Sequence, residues 1–367
     1  MGQKISIVPF NAPSRKFMND QILLEKIKTL IDKGPYLDGP VVENFERSFA
    51  SFLGAKHCLG VSSGTSALDL AINGLGIPNR SEILLNAHAG GYGSIAIKKN
   101  NMTAVYFEIK SDATPDYESF KELVTEKTKA LILTNLYGQS NDIQEILDYC
   151  RSRNMYVIED CAQSIGAYYP NSTSRAGSKS DISTFSFYPT KNFSTFGDAG
   201  AVVTSNTDIY ERIKSLREYG WKNKYFAENS GGSNYRMDEI HAVVLNHNLS
   251  NVDSNNLKRK NIWNCYRNSL HDKSVEILGC DAESFVAHLA VLKSENISLI
   301  EKKLNFAGIE TKIHYPYVDY NQPAFSEFKK LQLKISEVHC KSILSIPLFA
   351  ELSNAEVELI SNTLRSL

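Results

Sequence analysis

No stretch of this 367-residue chain is apolar for long enough to cross a bilayer, and its opening, Met1-Gly-Gln-Lys-Ile-Ser-Ile-Val-Pro-Phe10, has no apolar leader core. The expectation is a cytoplasmic protein without a membrane partner. The chain also lacks an excess of either charge. A formal net charge of −1 leaves no basic surface to follow a nucleic-acid backbone. Cysteine is sparse and unpaired in spacing: Cys58, Cys150, Cys161, Cys265, Cys280 and Cys340 read as reduced thiols rather than a disulfide framework. The eight histidines form no metal-ligand pattern, so no metal is expected. Internal repeats and low-complexity tracts are missing as well. What is left is an ordinary globular composition whose length suits one large domain and a smaller one. The division expected is 1–245 for the large domain and 246–367 for the small one.

Along the chain, two amphipathic helices are followed by short apolar strands alternating with helices. Ile22, Leu23, Ile27, Leu30 and Ile31 recur at helical spacing up to the Gly34-Pro35 stop, and Val42, Phe45, Phe49 and Leu53 share a second helical face. His57–Val61, Ile83–Leu85, Ala104–Phe107, Ala130–Thr134, Met155–Asp160 and Ala201–Thr204 then read as buried strands. Continuous apolar strands separated by helices predict a mainly parallel sheet covered on both faces. Ligands in such folds lie beyond the carboxyl ends of the strands. Past this region the spacing predicts a polar loop over 219–235, one long helix over Met237–Asn264, a strand over Phe285–Leu292 and a helix over Ile297–Ala307.

The chemistry gathers at the strand ends. Lys191 sits in Thr184-Phe-Ser-Phe-Tyr-Pro-Thr-Lys-Asn-Phe193, an aromatic and hydroxyl-rich run without another charge. Such surroundings disfavour the ammonium form and free a nucleophilic amine for a Schiff base, although a lysine taken singly is more often a surface residue. Ser62-Ser-Gly-Thr-Ser66 lies where a strand passes into a helix, a place that holds phosphate or merely caps a helix. Asp160 ends a buried strand and either caps the next segment or pairs with a protonated ring nitrogen. Tyr92 follows a glycine-rich turn and can stack on a flat ring, and Ser186 offers a second hydroxyl to a phosphate. Phosphate cradle, aromatic plate, acid and lysine together describe a pyridoxal phosphate site.

The sequence resembles the PLP-dependent sugar-nucleotide aminotransferases of the DegT/StrS type over nearly its full length. The resemblance is carried by Gly34-Pro-Tyr-Leu-Asp-Gly-Pro40, Ser62-Ser-Gly-Thr-Ser-Ala-Leu68, Leu136-Tyr-Gly-Gln139, Ile158-Glu-Asp-Cys-Ala-Gln-Ser-Ile-Gly-Ala167, Ser186-Phe-Tyr-Pro-Thr-Lys-Asn192 with Gly197-Asp-Ala-Gly200, and Asn234-Tyr-Arg-Met-Asp238. It implies a fold type I α/β architecture with a smaller α/β C-terminal domain, and a homodimer that shares its active sites. It also implies Lys191 as the Schiff-base lysine, Asp160 at the pyridine nitrogen and Gln163 at the phenolic oxygen. Gly64, Thr65 and Ser186 would hold the phosphate, and Asn234 would reach it from the neighbouring subunit. In the family, Thr followed by an aromatic residue usually occupies the ring-stacking place. Here that match falls on Ala89-Gly90, so stacking is assigned to Tyr92, with His88 as the second choice.

Within the family, the Lys191 segment with Gly197-Asp-Ala-Gly200 looks like members that aminate C3 of a dTDP-linked 3-keto-6-deoxyhexose, with L-glutamate as donor and a pyridoxamine phosphate form during turnover. The other reactions considered are amination at C4, sugar dehydration and non-catalytic sugar binding; the dehydratases replace the lysine with histidine. Tyr188, His314 and Tyr315 are candidates for the sugar side. Arg217, Lys222 and Lys224 are candidates for the diphosphate or for glutamate's carboxylates.

Overall fold

A computed structural model describes residues 7–328 and 332–367. Residues 1–6, the start of the segment read as lacking an apolar leader core, lie outside the described residues. The chain runs α1 (Pro13–Lys16), α2 (Gln21–Lys33), α3 (Pro40–Leu53), β1 (His57–Val61), α4 (Gly64–Gly74), β2 (Glu82–Asn86), α5 (Tyr92–Lys99), β3 (Thr103–Phe107), α6 (Tyr117–Lys121), β4 (Thr128–Thr134), α7 (Gln144–Ser152), β5 (Tyr156–Asp160), β6 (Ile182–Ser186), β7 (Gly200–Thr204) and α8 (Thr207–Arg217). It continues through β8 (Trp221–Asn223), β9 (Phe226–Ala227), α9 (Glu239–Asn248), α10 (Val252–Ser269), β10 (Glu276–Ile277), β11 (Ala290–Lys293), α11 (Ile297–Phe306), α12 (Lys334–Ser342), β12 (Ile343–Ile346) and α13 (Asn354–Arg365).

The first seven strands form one sheet in the order β1-β7-β6-β5-β4-β2-β3. Only β7 runs against its neighbours, so the mainly parallel, helix-covered α/β fold expected from the apolar strands is what forms. Register decides which residues meet at the carboxyl edge. Asp160 pairs with Thr134 on one side and Thr184 on the other, while Val61 and Ser186 both pair with Gly200. The ends of β1, β5 and β6 therefore come together, along with whatever follows each of them. A second, three-stranded antiparallel sheet, β10-β11-β12, packs its apolar side with Trp263 and Tyr266 of α10 and Ile360 and Leu364 of α13.

Two expectations change. The helix expected over Met237–Asn264 is broken into α9 and α10 by a short tight turn at Leu249–Asn251. The strand expected over Phe285–Leu292 is confined to β11, and Phe285 instead bridges to Gln139. The polar loop over 219–235 carries the small β8–β9 hairpin. No helix among the described residues is long and apolar enough to cross a membrane.

An aromatic cluster lies beneath the Lys191 segment. Phe45 and Phe49 of α3 meet Phe187 edge-on, each with ring centroids 5.4 Å apart, and Phe187 meets Phe193 at 5.4 Å. Edge-to-face pairs add about 0.5–1.5 kcal/mol each beyond the burial of their area. Phe187 and Phe193 thus anchor both ends of the loop that carries Lys191, and the α3 face visible in the sequence is what anchors them.

Candidate active site

Beyond the strand ends lies a cleft of about 590 Å³. Gly64 and Thr65 open α4 on one wall, and a helix start leaves backbone N–H groups without partners inside the helix. Ser63 caps that start, its Oγ accepting the Ser66 N–H at 3.0 Å. Position 64 must be glycine for a steric reason: a Cβ there would stand 2.6 Å from the Ser186 Cβ. Helix start and strand end are packed backbone against side chain, which brings the Ser186 hydroxyl to the same wall.

Asp160 and Lys191 both line the cleft. Asp160 Oδ1 accepts the Ala162 N–H at 3.0 Å, so the capping reading of this residue is correct for one oxygen. Burial raises its pKa, opposed by that hydrogen bond and by the positive charge of Lys191. Burial pushes the Lys191 pKa down to about 8, with Asp160 opposing the shift. The amine is held by its loop. Lys191 N–H donates to Tyr188 O at 2.9 Å, and Thr195 N–H to Phe187 O at 2.9 Å. Asn192 Nδ2 donates to Asn256 Oδ1 of α10 and to Val286 O, and His288 Nδ1 meets Asn192 Oδ1 at 3.0 Å.

The opposite wall is built from two loops. Gly90 and Gly91 take positive φ values of 78° and 81° to turn β2 into α5, and a side chain at position 90 would run into the Tyr315 ring. Tyr92 follows them, stands in the cleft, and meets Tyr315 edge-on with centroids 6.3 Å apart. His88, the second choice for stacking, is not among the residues that line the cleft. It is fully buried, and its Nε2 accepts the Tyr315 N–H at 3.0 Å, so it supports the wall from behind. Burial lowers its pKa to about 4, which keeps it a neutral acceptor. Gln163 Oε1 accepts the Tyr137 N–H at 2.7 Å, and its Nε2 donates to the Tyr315 hydroxyl at 3.0 Å. His314 lines the cleft too; its Nδ1 lies 3.0 Å from Ser345 Oγ and its ring stacks on Phe10.

Ten sequence candidates are therefore brought together: Gly64, Thr65, Tyr92, Asp160, Gln163, Ser186, Tyr188, Lys191, His314 and Tyr315. Four others are placed elsewhere. Arg217 ends α8 in a separate cleft of about 300 Å³, where its Nη1 donates to Glu46 Oε1 at 2.6 Å and to Gly60 O at 3.2 Å. A guanidinium so deeply enclosed needs a carboxylate partner, and Glu46 supplies it. Lys224 lies in the β8–β9 hairpin over the Tyr225 ring, and Lys222 pairs with Glu228 at 2.7 Å. Asn234 is exposed and bridges to Glu218 outside the cleft of its own protomer. Phe10, Asn11, Asp198, His288 and Lys312 line the cleft without having been singled out. They come from distant segments, and only Asp198 lies in a motif, Gly197-Asp-Ala-Gly200, where it carries no assigned role.

The donor set fits pyridoxal phosphate. A helix start with a hydroxyl beside it suits a phosphate, a buried carboxylate suits a ring N–H, and an amine whose pKa is lowered suits an aldehyde.

Known proteins match this chain along more than nine-tenths of its length. The model of the DegT/DnrJ/EryC1/StrS aminotransferase family matches residues 18–365. A dTDP-3-amino-3,6-dideoxy-alpha-D-galactopyranose transaminase of Aneurinibacillus thermoaerophilus is 34% identical over 343 residues, 91% of this chain and 92% of that one. A dTDP-3-amino-3,4,6-trideoxy-alpha-D-glucose transaminase of Streptomyces venezuelae is 32% identical over 345 residues, 92% of this chain and 90% of that one. Among solved structures, S. venezuelae DesV in complex with a ketimine intermediate superposes with a TM-score of 0.93 at 31% identity, covering 98% of both chains.

Proposed function

Because the chain belongs to the DegT/DnrJ/EryC1/StrS aminotransferase family, we propose that it uses pyridoxal phosphate to move an amino group from L-glutamate to C3 of a keto-6-deoxyhexose carried on dTDP. The observation that carries this reading is the meeting, in one cleft, of an amine with its pKa near 8, a buried acid and an open helix start. The two relatives above act on dTDP-linked 3-amino sugars, which supports C3 and dTDP.

Pyridoxal phosphate, when bound, supplies an aldehyde that exchanges between amines and a ring that takes up electrons. The residues of this chain do the rest. Gly64, Thr65 and Ser186 hold the phosphate. The Asp160 carboxylate would hold a proton on the ring nitrogen, and a cation there would offset the cost of burying the acid. Lys191 Nζ would hold the cofactor's aldehyde and would serve as the base and acid that moves a proton at the substrate carbon. Tyr92 packs against the ring. Tyr188, His314 and Tyr315 face the sugar, and Tyr315 is fixed by Gln163 and His88.

The acting unit is proposed to be a cytoplasmic homodimer, with Asn234 of each protomer reaching the phosphate of the other. Ile22, Ile31, Tyr36 and Leu37 are exposed on one protomer, an apolar surface that suits burial against a second copy. The test is incubation of the purified protein with glutamate and a panel of 3-keto and 4-keto dTDP-sugars, with products identified by mass and NMR. A 3-amino sugar is expected. A 4-amino sugar would move the reaction to C4, and no amino sugar from any member of the panel would refute the proposal.

A further inference from the structure

The N-terminal segment 8–16 is a strap across the molecule. Its first half is fastened to the C-terminal part of the chain: Val8 N–H donates to Gly308 O at 2.9 Å, and Phe10 N–H to Glu310 Oε2 at 2.9 Å. Its end holds two adjacent cations that point to different bodies. Arg15 makes a bidentate pair with Glu356 of α13, both contacts at 2.9 Å. Lys16 turns the other way, into the loop that carries the reactive amine. Its Nζ donates to Lys191 O at 3.1 Å, Asn192 O at 3.1 Å and Ser194 Oγ at 2.8 Å.

All three protons of one ammonium are thus spent on three residues of a four-residue stretch. Carbonyl and hydroxyl acceptors supply no counterion at these contacts, and burial, with Arg259 nearby, pushes the Lys16 pKa down to about 7 against the opposing charge of Glu351. An unpaired cation held at that cost is a poor choice for mere fastening, which a neutral donor would do. What the ammonium does that a neutral group cannot is close all three acceptors at once, and so fix the path of the backbone through Lys191.

We propose that Lys16 is a positioning residue for Lys191: by gripping the carbonyls on either side of the Lys191–Asn192 bond and the Ser194 hydroxyl, it sets where the Lys191 amine stands in the cleft. The inference rests on Lys191 being the cofactor-binding amine. Lys16 is not among the residues that line the cleft. Its effect passes through the loop, whose other fastenings are the Phe187 and Phe193 rings and the Asn192 side chain.

The experiment compares wild type, Lys16→Met, Lys16→Arg and Ser194→Ala in the full chain. The first readout needs no cofactor: amide hydrogen exchange in the cofactor-free protein. Lys16→Met is expected to speed exchange across 187–195 and leave β1 and α4 unchanged, and Lys16→Arg to restore protection. The second readout is the rate at which added pyridoxal phosphate becomes attached to Lys191, trapped with borohydride and located by peptide mass. Displacing a reacting group by a fraction of an ångström to an ångström slows it by about tenfold to a hundredfold. Lys16→Met is expected to fall in that range, Ser194→Ala to fall less, and Lys16→Arg to recover most of the wild-type rate. Unchanged exchange and an unchanged trapping rate in Lys16→Met would overturn the proposal. So would equal slowing in Lys16→Met and Lys16→Arg without altered exchange in the loop. If Lys16→Met does not fold, Ser194→Ala decides, since it removes one of the three acceptors and keeps the charge. Failure of wild-type Lys191 to be trapped would refute the cofactor reading while the exchange data still judge Lys16.

Discussion

Two clefts in this protein each contain a buried cation and a buried carboxylate, and they differ in whether the two groups touch. In the smaller one, Arg217 and Glu46 close to 2.6 Å, with side chains only 11% and 14% exposed. The charges close on each other and on the Gly60 backbone, leaving Arg217 Nε buried without a partner among the described residues. In the larger one, Lys191 and Asp160 act on each other through the field without closing to an ion pair, and burial shifts the pKa of both. A closed buried pair is structure, and an open one is a site. The choice of cation fits: guanidinium stays charged and matches a carboxylate, whereas an ammonium loses its proton readily when buried.

That contrast can be broken in order of expected effect. Lys191→Ala should abolish turnover and leave the cofactor bound without a covalent link, with the absorbance of the free aldehyde; retained steady-state activity would contradict its role. Asp160→Asn should slow single-turnover proton transfer by about a hundredfold or more, the scale of losing a preorganised electrostatic partner. The same change removes the negative charge that opposes the lowering of the Lys191 pKa. In the cofactor-free protein the midpoint for amine reactivity should therefore move below about 8, and a midpoint that rises would show the sign to be wrong.

In the other cleft, Arg217→Met should cost about 3–5 kcal/mol of stability by leaving Glu46 buried and unpaired. Denaturant titration would show it, while the turnover number of the folded fraction stays at the wild-type value. A drop in turnover with full stability would return Arg217 to the substrate site. Lys224→Ala should be the smallest change, within about 0.5 kcal/mol of wild type in a melt of the protomer, as for an exposed side chain away from any buried feature.

Much of the site was legible because its parts are short and contiguous. The run from Ser62 to Ser66 joins a strand to a helix, Asp160 ends a strand, and Lys191 sits among aromatics; each carries its own local physics. The strand pattern also gave the parallel sheet, hence the edge on which these parts meet. Reading stopped where a side chain's partner lies far along the chain. Arg217 and Lys224 are both cations near a glycine-rich loop, and nothing local says that one will find Glu46 and the other the Tyr225 ring. His88 and Tyr92 lie four residues apart in one turn, and only the approach of Tyr315, over two hundred residues later, sends the first behind the wall and leaves the second in the cleft.

By itself, then, the sequence determined the layered α/β fold, the ends of its strands and the place of Lys191 and Asp160 at those ends, because apolar periodicity and local residue chemistry act over a few neighbours. The tertiary structure alone decided which charges would close on each other and which would stay open, and how the N-terminal strap came to hold the Lys191 loop. Those outcomes depend on distances between segments brought together by packing, and electrostatics at short range follows distance, not order along the chain.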